Sequence, residues 1–481
     1  MRLGLLALVA ACSAHRVQHV DIAIIGGGPC GLATALALRR VSCLRDASIA
    51  VFERDHLEPK GAAIVMRPMG IDALDAIDRR LVPEMRHRAA RMFGMAHLTA
   101  EELSSKGADG GLPAGFRHPF RKRPIRERFV KWLARIGCRL RLRRSGLRSF
   151  NWHDVRSVLA KRVLTTCGPE TMRLGHTLKA VRTARKGVDL TFGVELADGE
   201  DQHTVTYRAR LVCSADGVRS MTRRCWPGAD TKTATPDGRS TWYGLAPRLR
   251  LGDRLARVVS HNDCRLTVFP ACGGRGVSFA ASAASVPGHA ASPSEAAERL
   301  LSSAPRELRP TLAPLLDATP HVVETKLMSR DFARPWASPS HRLCFLGDAA
   351  HPMRPTFGYG TSLALEDAAV LARIAEREGS LDSFIASGVR AFERARLGRV
   401  RAVVEISHQA AIRRALSCLT RRWRGAAPAT STGAAAAAAA AGTGVCGASE
   451  PPSSPPRSRA NAAAAEEPLV RASASDDDGL G

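Results

Sequence analysis

Apolar positions near the start of the chain change their period at fixed places. Val20, Ile22, Ala23, Ile24 and Ile25 pass from alternation to a continuous run, the pattern of a strand buried in a parallel sheet. Glycines then break the run. From Pro29 to about Arg40 the spacing predicts a helix, with Ala33, Ala35 and Ala37 leaving room for close neighbours. A second apolar run, Ser48 to Phe52, predicts another strand and ends in Glu53.

Further along, Gly61 to Ile77 reads as a short extended piece leading through Pro68 into a helix, and another helix is predicted from Asp154 to about Leu164. Strands separated by turn signals such as Asp198-Gly199 follow at Val188 to Phe192, Val205 to Tyr207 and Leu211 to Ala215. More strands are predicted at Arg257 to Val259, Arg265 to Phe269, Val277 to Ala281 and His321 to Met328, with a helix at Ser294 to Leu301. Leu343 to Leu346 is a short buried strand closing in Gly347-Asp348. After it, a loop with Pro352, Pro355, Gly358 and Gly360 enters a helix at Thr361 or Ser362, whose hydroxyl can cap it. Helices continue to about Trp423. Beyond Gly425, alanine runs, Ser/Pro clusters and an acidic end cannot bury enough apolar surface to fold, so 425–481 is expected to be a disordered tail.

These elements define an α/β fold: a discontinuous Rossmann-like domain (20–173 and 330–424, with C-terminal helices) and an inserted, mostly antiparallel sheet within 174–329. Residues 107–148 turn basic and irregular, which reads as a solvated insertion rather than a dedicated anion site.

Composition narrows the field. The chain has 481 residues, enough for two or three domains, and an ordinary 45% apolar share. Its net charge of +26 favours anionic partners, but with aromatics at 5% and no reading module or stacking platform it does not point to specific nucleic-acid binding. The twelve cysteines lack a C-x-x-C pair or a His/Cys cluster at metal spacing, so they read as free thiols in a reducing compartment, with no metal site. No G-x-S-x-G nucleophile elbow is present. Met1 to Ala14, within an extension covering 1–19, reads as a signal peptide or a frayed N-terminus and is too short to span a bilayer. The expected location is cytoplasmic or organellar. Arg399 to Trp423 carries Val400, Val403, Val404, Ala410, Ile412, Leu416 and Leu419 on a stripe beside many arginines. This is the pattern of a terminal helix packed on its domain, or of one with weak affinity for anionic membranes.

The chemistry sits in the first turn. Gly26, Gly28 and Gly31 have the G-x-G-x-x-G spacing between strand and helix. The first permits the turn, the second lets backbone approach a pyrophosphate, and the third lets helix pack on strand. Glu53 follows at the distance where a carboxylate reaches ribose hydroxyls. These residues predict a dinucleotide and leave NAD or FAD open.

Two more motifs stand with GGGPCG and Glu53: ADGVRSMTR (Ala215 to Arg223) and LGDAAHPMRPTFGYG (Leu346 to Gly360). Asp331, Trp336 and FERARLGR (Phe392 to Arg399) add to them. Together, over about Val20 to Val400, they resemble the FAD-dependent aromatic-hydroxylase family, the single-component flavoprotein monooxygenases. The resemblance implies that Gly26, Gly28 and Gly31, with Pro29 and Cys30, hold the FAD pyrophosphate and that Glu53 holds the adenosine ribose. It implies that Asp348 accepts from the ribityl chain and that Asp216 and Gly217 support both FAD and the nicotinamide. Arg54, Arg67, Gly347, Pro355, Gly358, Gly360 and Thr361 complete the implied cofactor set. No side chain is assigned a catalytic role. The helix entered at Gly360, Thr361 and Ser362 would instead stabilise negative charge on the reduced flavin, and a flavin C4a-hydroperoxide would deliver oxygen.

The implied activity is a monooxygenase that uses FAD, NADPH or NADH, and O2 to hydroxylate or epoxidise a small aromatic or isoprenoid substrate. Alternatives are a same-fold reductase or halogenase, or a catalytically silent FAD-binding protein whose basic surface recruits a partner. Departures from the family are Ser362 and Met69 where Asn is common, and Trp152 where an Arg is common. His351 reads as structural rather than as a catalytic base.

Overall fold

The apolar run at the start becomes β1 (Gln18–Ile25), whose last four residues are fully enclosed. A computed structural model describes residues 17–57, 63–92, 94–98, 148–194, 203–226, 235–251, 255–261, 263–329, 335–353 and 358–405. The N-terminal run, the basic insertion up to 147, the Asp198-Gly199 turn, Asp331, Pro355 and everything beyond 405 lie outside the described residues. Helix α1 (Pro29–Arg39) is buried on nearly every side, which its small residues permit, and it packs on α-helices introduced below. Strand β2 (Ile49–Phe52) pairs parallel to β1 with Ile22 opposite Ile49.

A small antiparallel sheet follows, from β3 (Ala63–Met66), β4 (Ala90–Arg91) and β6 (Arg148–Asn151), in the order β3-β6-β4. Helices α2 (Pro68–Ile77) and α3 (Leu81–Arg86) lie between its strands in sequence, and β5 (Gly94–Leu98) leaves to join a different sheet. Helix α4 (Trp152–Cys167) is capped by the Asn151 side chain, which accepts from the His153 N–H.

Strands β7 (Met172–Arg173), β8 (His176–Ala184), β9 (Gly187–Val194) and β10 (His203–Ser214) come next. All four join the first sheet, whose order is β7-β2-β1-β10-β9-β8. The segment 174–329 is therefore divided between two sheets, and its first part completes the dinucleotide domain. Packing decides this. Phe52 of β2 stacks on Phe192 of β9 at 4.4 Å and meets Tyr207 of β10 at 4.7 Å, so the meander closes the end of the parallel strands. The two strands expected at Val205 to Tyr207 and Leu211 to Ala215 are one, because β10 pairs antiparallel with β9 through its first half and parallel with β1 through its second.

After the short α5 (Met221–Cys225), the second sheet has the order β15-β11-β14-β13-β12-β5, from β11 (Thr235–Ala246), β12 (Leu255–His261), β13 (Cys264–Ala271), β14 (Gly276–Ala284) and, after α6 (Pro293–Ser303) and α7 (Arg309–Asp317), β15 (Val322–Ser329). Strand β11 and helix α7 were not legible in the sequence. Pro236, Gly238 and Gly244 interrupt the pattern of β11, yet a Cβ at Gly244 would lie 2.3 Å from the Phe279 ring, so the glycine is what lets that ring cross the strand. One face of the sheet packs Trp242, Leu266, Val268 and Phe279 on Leu300, Leu312 and Leu315 of the two helices.

The chain then returns to the first sheet as β16 (Leu343–Phe345), parallel to β10. Helix α8 (Gly360–Glu378) packs on α1 and α2. Residues 389–405 are helical, and Val400 and Val404 are buried in the main core. That part of the Arg399 to Trp423 stripe is spent on packing.

Candidate dinucleotide and flavin site

Gly26, at φ +104°, turns the chain out of β1. A Cβ there would lie 2.5 Å from the Ala215 carbonyl oxygen, and one on Gly31 would lie 2.0 Å from the Gly26 carbonyl oxygen. A Cβ on Gly28 meets nothing within 4 Å. Two glycines thus keep the turn closed and the middle one faces open space. Gly28 is also the N-cap of α1 and supplies no side-chain cap, so the positive end of that helix is directed at the same space. The open space at Gly28 and the positive helix end suit a diphosphate.

Glu53 emerges from β2 beside this turn. Its Oε2 accepts from the Gly27 N–H at 2.7 Å and its Oε1 from the Asp55 N–H at 2.9 Å. Arg156, almost wholly buried, holds the same carboxylate at 3.3 Å and donates through Nε to the Gly27 carbonyl at 2.9 Å and through Nη1 to the His56 carbonyl at 3.2 Å. The Trp152 ring lies 5.4 Å from its guanidinium. Sequence reasoning missed Arg156. The signal was a cation set within the buried face formed by Val155, Leu159 and Val163 of α4. Arg54, next to Glu53, is exposed, and its Nε donates to Asp55 at 3.0 Å.

The third motif meets the same turn from the other side. A Cβ on Gly347 (φ +54°) would approach Cys30 Sγ at 3.1 Å and Ala364 Cβ at 3.2 Å. The Cys30 thiol donates to the Ala364 carbonyl at 3.6 Å, tying Pro29-Cys30 to α8. Asp348 is open at the surface of this cleft and makes no hydrogen bond among the described residues. The protein packed around it raises its pKa, with Asp367 adding to the effect and His351 opposing it. A Cβ on Gly360 would lie 3.9 Å from Asp348 Oδ1, so the start of α8, with Thr361, borders the same opening. Gly358 (φ +67°) packs on Val65, and the Arg67 guanidinium sits 4.5 Å above the Tyr359 ring.

Two expectations are corrected. Ser362 does not cap α8: it lies inside the first turn, fully buried, and its hydroxyl accepts from the Arg67 N–H at 3.0 Å. Asp216 does not present a free carboxylate to cofactors. Its Oδ1 accepts from Ser214 at 2.7 Å, and its Oδ2 accepts from the Thr222 N–H and hydroxyl, each at 2.9 Å. It organises the Asp-Gly loop, while Gly217 (φ +79°) has nothing within 4 Å of its Cβ position and faces open space.

His351 is buried, with Nε2 2.6 Å from Asp367 Oδ2 and its ring 5.2 Å from that of Trp336. FERARLGR anchors this region from the far side. Glu393 accepts from the Trp336 N–H at 2.9 Å, Arg396 Nε donates to Asp367 at 2.7 Å, and Arg399 pairs with Glu366 at 2.7 Å. Among the described residues, no cluster of His, Cys, Asp or Glu could hold a metal ion, and no helix is long and apolar enough to cross a membrane.

A parallel sheet whose glycine turn touches a ribose-distance acid, an Asp-Gly loop and a Gly-Asp loop together is a dinucleotide-binding architecture. The family described as FAD binding domain matches residues 19–378, and the chain belongs to it, among the FAD-dependent aromatic hydroxylases. Over 99 residues the chain is 40% identical to 6-hydroxynicotinate 3-monooxygenase of Bordetella bronchiseptica, a match covering 21% of this chain and 25% of that enzyme. It is 26% identical over 368 residues to the FAD-dependent monooxygenase pigN of Monascus ruber, covering 74% of this chain and 76% of the other. A salicylate hydroxylase substrate complex superposes with a TM-score of 0.56 at 19% identity, over 82% of this chain and 88% of that one, which shows a shared fold.

Proposed function

We propose that the protein is a FAD-dependent monooxygenase that consumes NADPH or NADH and O2 to hydroxylate, or epoxidise, a small aromatic or isoprenoid substrate. The observation that carries this reading is the meeting of all three motifs at one turn: Glu53 at Gly27, Ala215 and Asp216 at Gly26, and Gly347 at Cys30. When bound, the flavin supplies the redox and oxygen-transfer chemistry.

The chain's own residues bind and orient. The turn and the α1 N-terminus take the diphosphate, Glu53 takes a ribose, and Asp348 accepts from a sugar-alcohol chain. The start of α8 places a positive dipole end where negative charge would develop, favouring it by up to about 2 kcal/mol. The substrate rests on the second sheet, on the face turned away from α6 and α7. By register, Thr241, Tyr243, Thr267, Ala280 and Val323 share that face. The Tyr243 phenol is pushed up to about 12, chiefly by burial, with the Asp348 charge adding to it, so this wall and the Gly-Asp loop are close enough to interact. A neutral phenol on a wall of small and hydroxyl-bearing residues suits a weakly polar ring. Relatives named for 6-hydroxynicotinate and salicylate lend support to an aromatic substrate.

The test is a screen of phenolic, N-heteroaromatic and isoprenoid compounds with the flavin-loaded protein, measuring stimulated NAD(P)H oxidation and incorporation of labelled O2. Stimulated oxidation with label in the product is the expected result. Flavin binding with no stimulation by any class would sink the monooxygenase reading.

A further inference from the structure

Arg148 opens β6 with its side chain 3% exposed, and its Nε has no hydrogen-bond partner. No carboxylate among the described residues pairs with it. Asp154, at the start of the next helix, is held by Arg88 at 3.3 Å. The residue directly across the strand pair from Arg148 is another arginine, Arg91 of β4. Arg86, the last residue of α3, is near enough to act on it as well: burial first, then Arg91, then Arg86 lower the Arg148 pKa. Like charges opposite one another in a strand pair are destabilising, and a buried cation without a partner is costly. The arrival of an anion would relieve such an arrangement.

We propose that Arg148, Arg91 and Arg86 form an oxyanion site that takes a phosphoryl group. Three guanidinium groups complement a dianion better than a single carboxylate, and their planar forks match phosphate geometry. The buried Arg148 fixes the position, while the exposed Arg91 and Arg86 leave it open to entry. The phosphoryl group comes either from free phosphate or from the 2′-phosphate that distinguishes NADPH from NADH.

Protein saturated with FAD is titrated with inorganic phosphate at constant ionic strength, following thermal stability and binding heat. Wild type gains a saturable stabilisation, because a ligand that binds only the native state raises Tm. Arg148→Met loses the response and, without phosphate, is at least as stable as wild type. Arg91→Ala, at an exposed position, keeps the fold and weakens phosphate about tenfold, as loss of one charged contact would. Competition between phosphate and NADPH, with NADH indifferent, assigns the site to the nucleotide, and absence of competition assigns it to free phosphate. A response retained in Arg148→Met overturns the proposal. So does a wild type indifferent to phosphate whose Arg148→Met variant is less stable, since a carboxylate of the chain then already fills the site.

Discussion

His351 Nε2 and Asp367 Oδ2 are 2.6 Å apart with both side chains wholly enclosed, directly beneath the Gly347-Asp348 loop. The same carboxylate accepts from the Gly347 N–H at 2.8 Å and from Arg396 Nε at 2.7 Å. One buried acid therefore joins the loop, α8 and the helix that follows. Burial by itself would raise the Asp367 pKa, but His351, Arg396 and the Gly347 N–H outweigh it and hold it below the usual carboxylate value.

Asp367→Asn should destabilise the protein by up to about 3–5 kcal/mol, because it breaks the buried ion pairs with Arg396 and His351 and leaves Arg396 only its ion pair with Glu366 among the described residues. It should also lower flavin content, because the amide has one acceptor oxygen where the carboxylate has two, so the Gly347 N–H and Arg396 Nε can no longer both be satisfied. Thermal melting and the flavin-to-protein absorbance ratio check this. An unchanged flavin ratio would show that the loop is held by other means.

Acid should loosen the second sheet. Burial works to raise the Glu324 pKa, yet Arg299 at 2.6 Å, Lys326 at 3.0 Å and Ser240 at 2.9 Å bring it down to about 2. A folded pKa below the unfolded one means that Glu324 contributes stability above roughly pH 4.5, lost progressively as pH falls toward the folded value. Glu324→Gln should be less stable at pH 7 and flatten the stability curve between about pH 5 and 2. Parallel curves for the variant and wild type would contradict the assignment.

Glu53→Ala and Asp348→Ala should fail differently. Glu53 holds two backbone N–H groups and Arg156, so its removal should cost both fold stability and FAD. Asp348 makes no such bonds among the described residues, and its pKa is raised, so Asp348→Ala should weaken FAD while leaving apoprotein melting unchanged or slightly higher. A drop in apoprotein Tm for Asp348→Ala would refute this division.

Arg156→Leu should weaken FAD about ten- to a hundredfold, since a hydrogen bond to a charged group contributes about 1.5–3 kcal/mol. Arg156→Lys should recover only part of that, because one ammonium cannot reach Glu53, Gly27 and His56 with the fixed fork of a guanidinium. Titration of apoprotein with FAD, followed by flavin fluorescence, gives the affinities. Full recovery by lysine would reduce the role of Arg156 to charge.

Tyr243 should remain a neutral phenol well past pH 10. The chain has three tyrosines, so ultraviolet titration of wild type against Tyr243→Phe isolates its phenolate band. That band should emerge near pH 12, or only on unfolding, because the folded state favours the neutral form. The same variant should keep FAD and raise KM for the substrate. Ionisation near pH 10 would place Tyr243 in water rather than on a buried wall.

Everything whose cause lies within a few neighbouring residues was determined by the sequence itself. The Gly26, Gly28 and Gly31 turn needs only absent side chains and the period change from strand to helix, and Glu53 needs only its distance from that turn. Tertiary structure decided the rest, because the deciding partner is remote in the chain. Phe52 on Phe192 assigns the meander to the first sheet, against its apparent grouping with the second. Phe279 lying over Gly244 makes a strand from residues whose own preferences favour turns. Asp216 reads as a cofactor ligand until Ser214 and Thr222 are seen to occupy both its oxygens, and Arg156 reads as one arginine among many until the fold buries it beside Glu53. A hydrophobic period records which face of an element is buried; which charged group fills the space against that face depends on segments that meet only once the chain has folded.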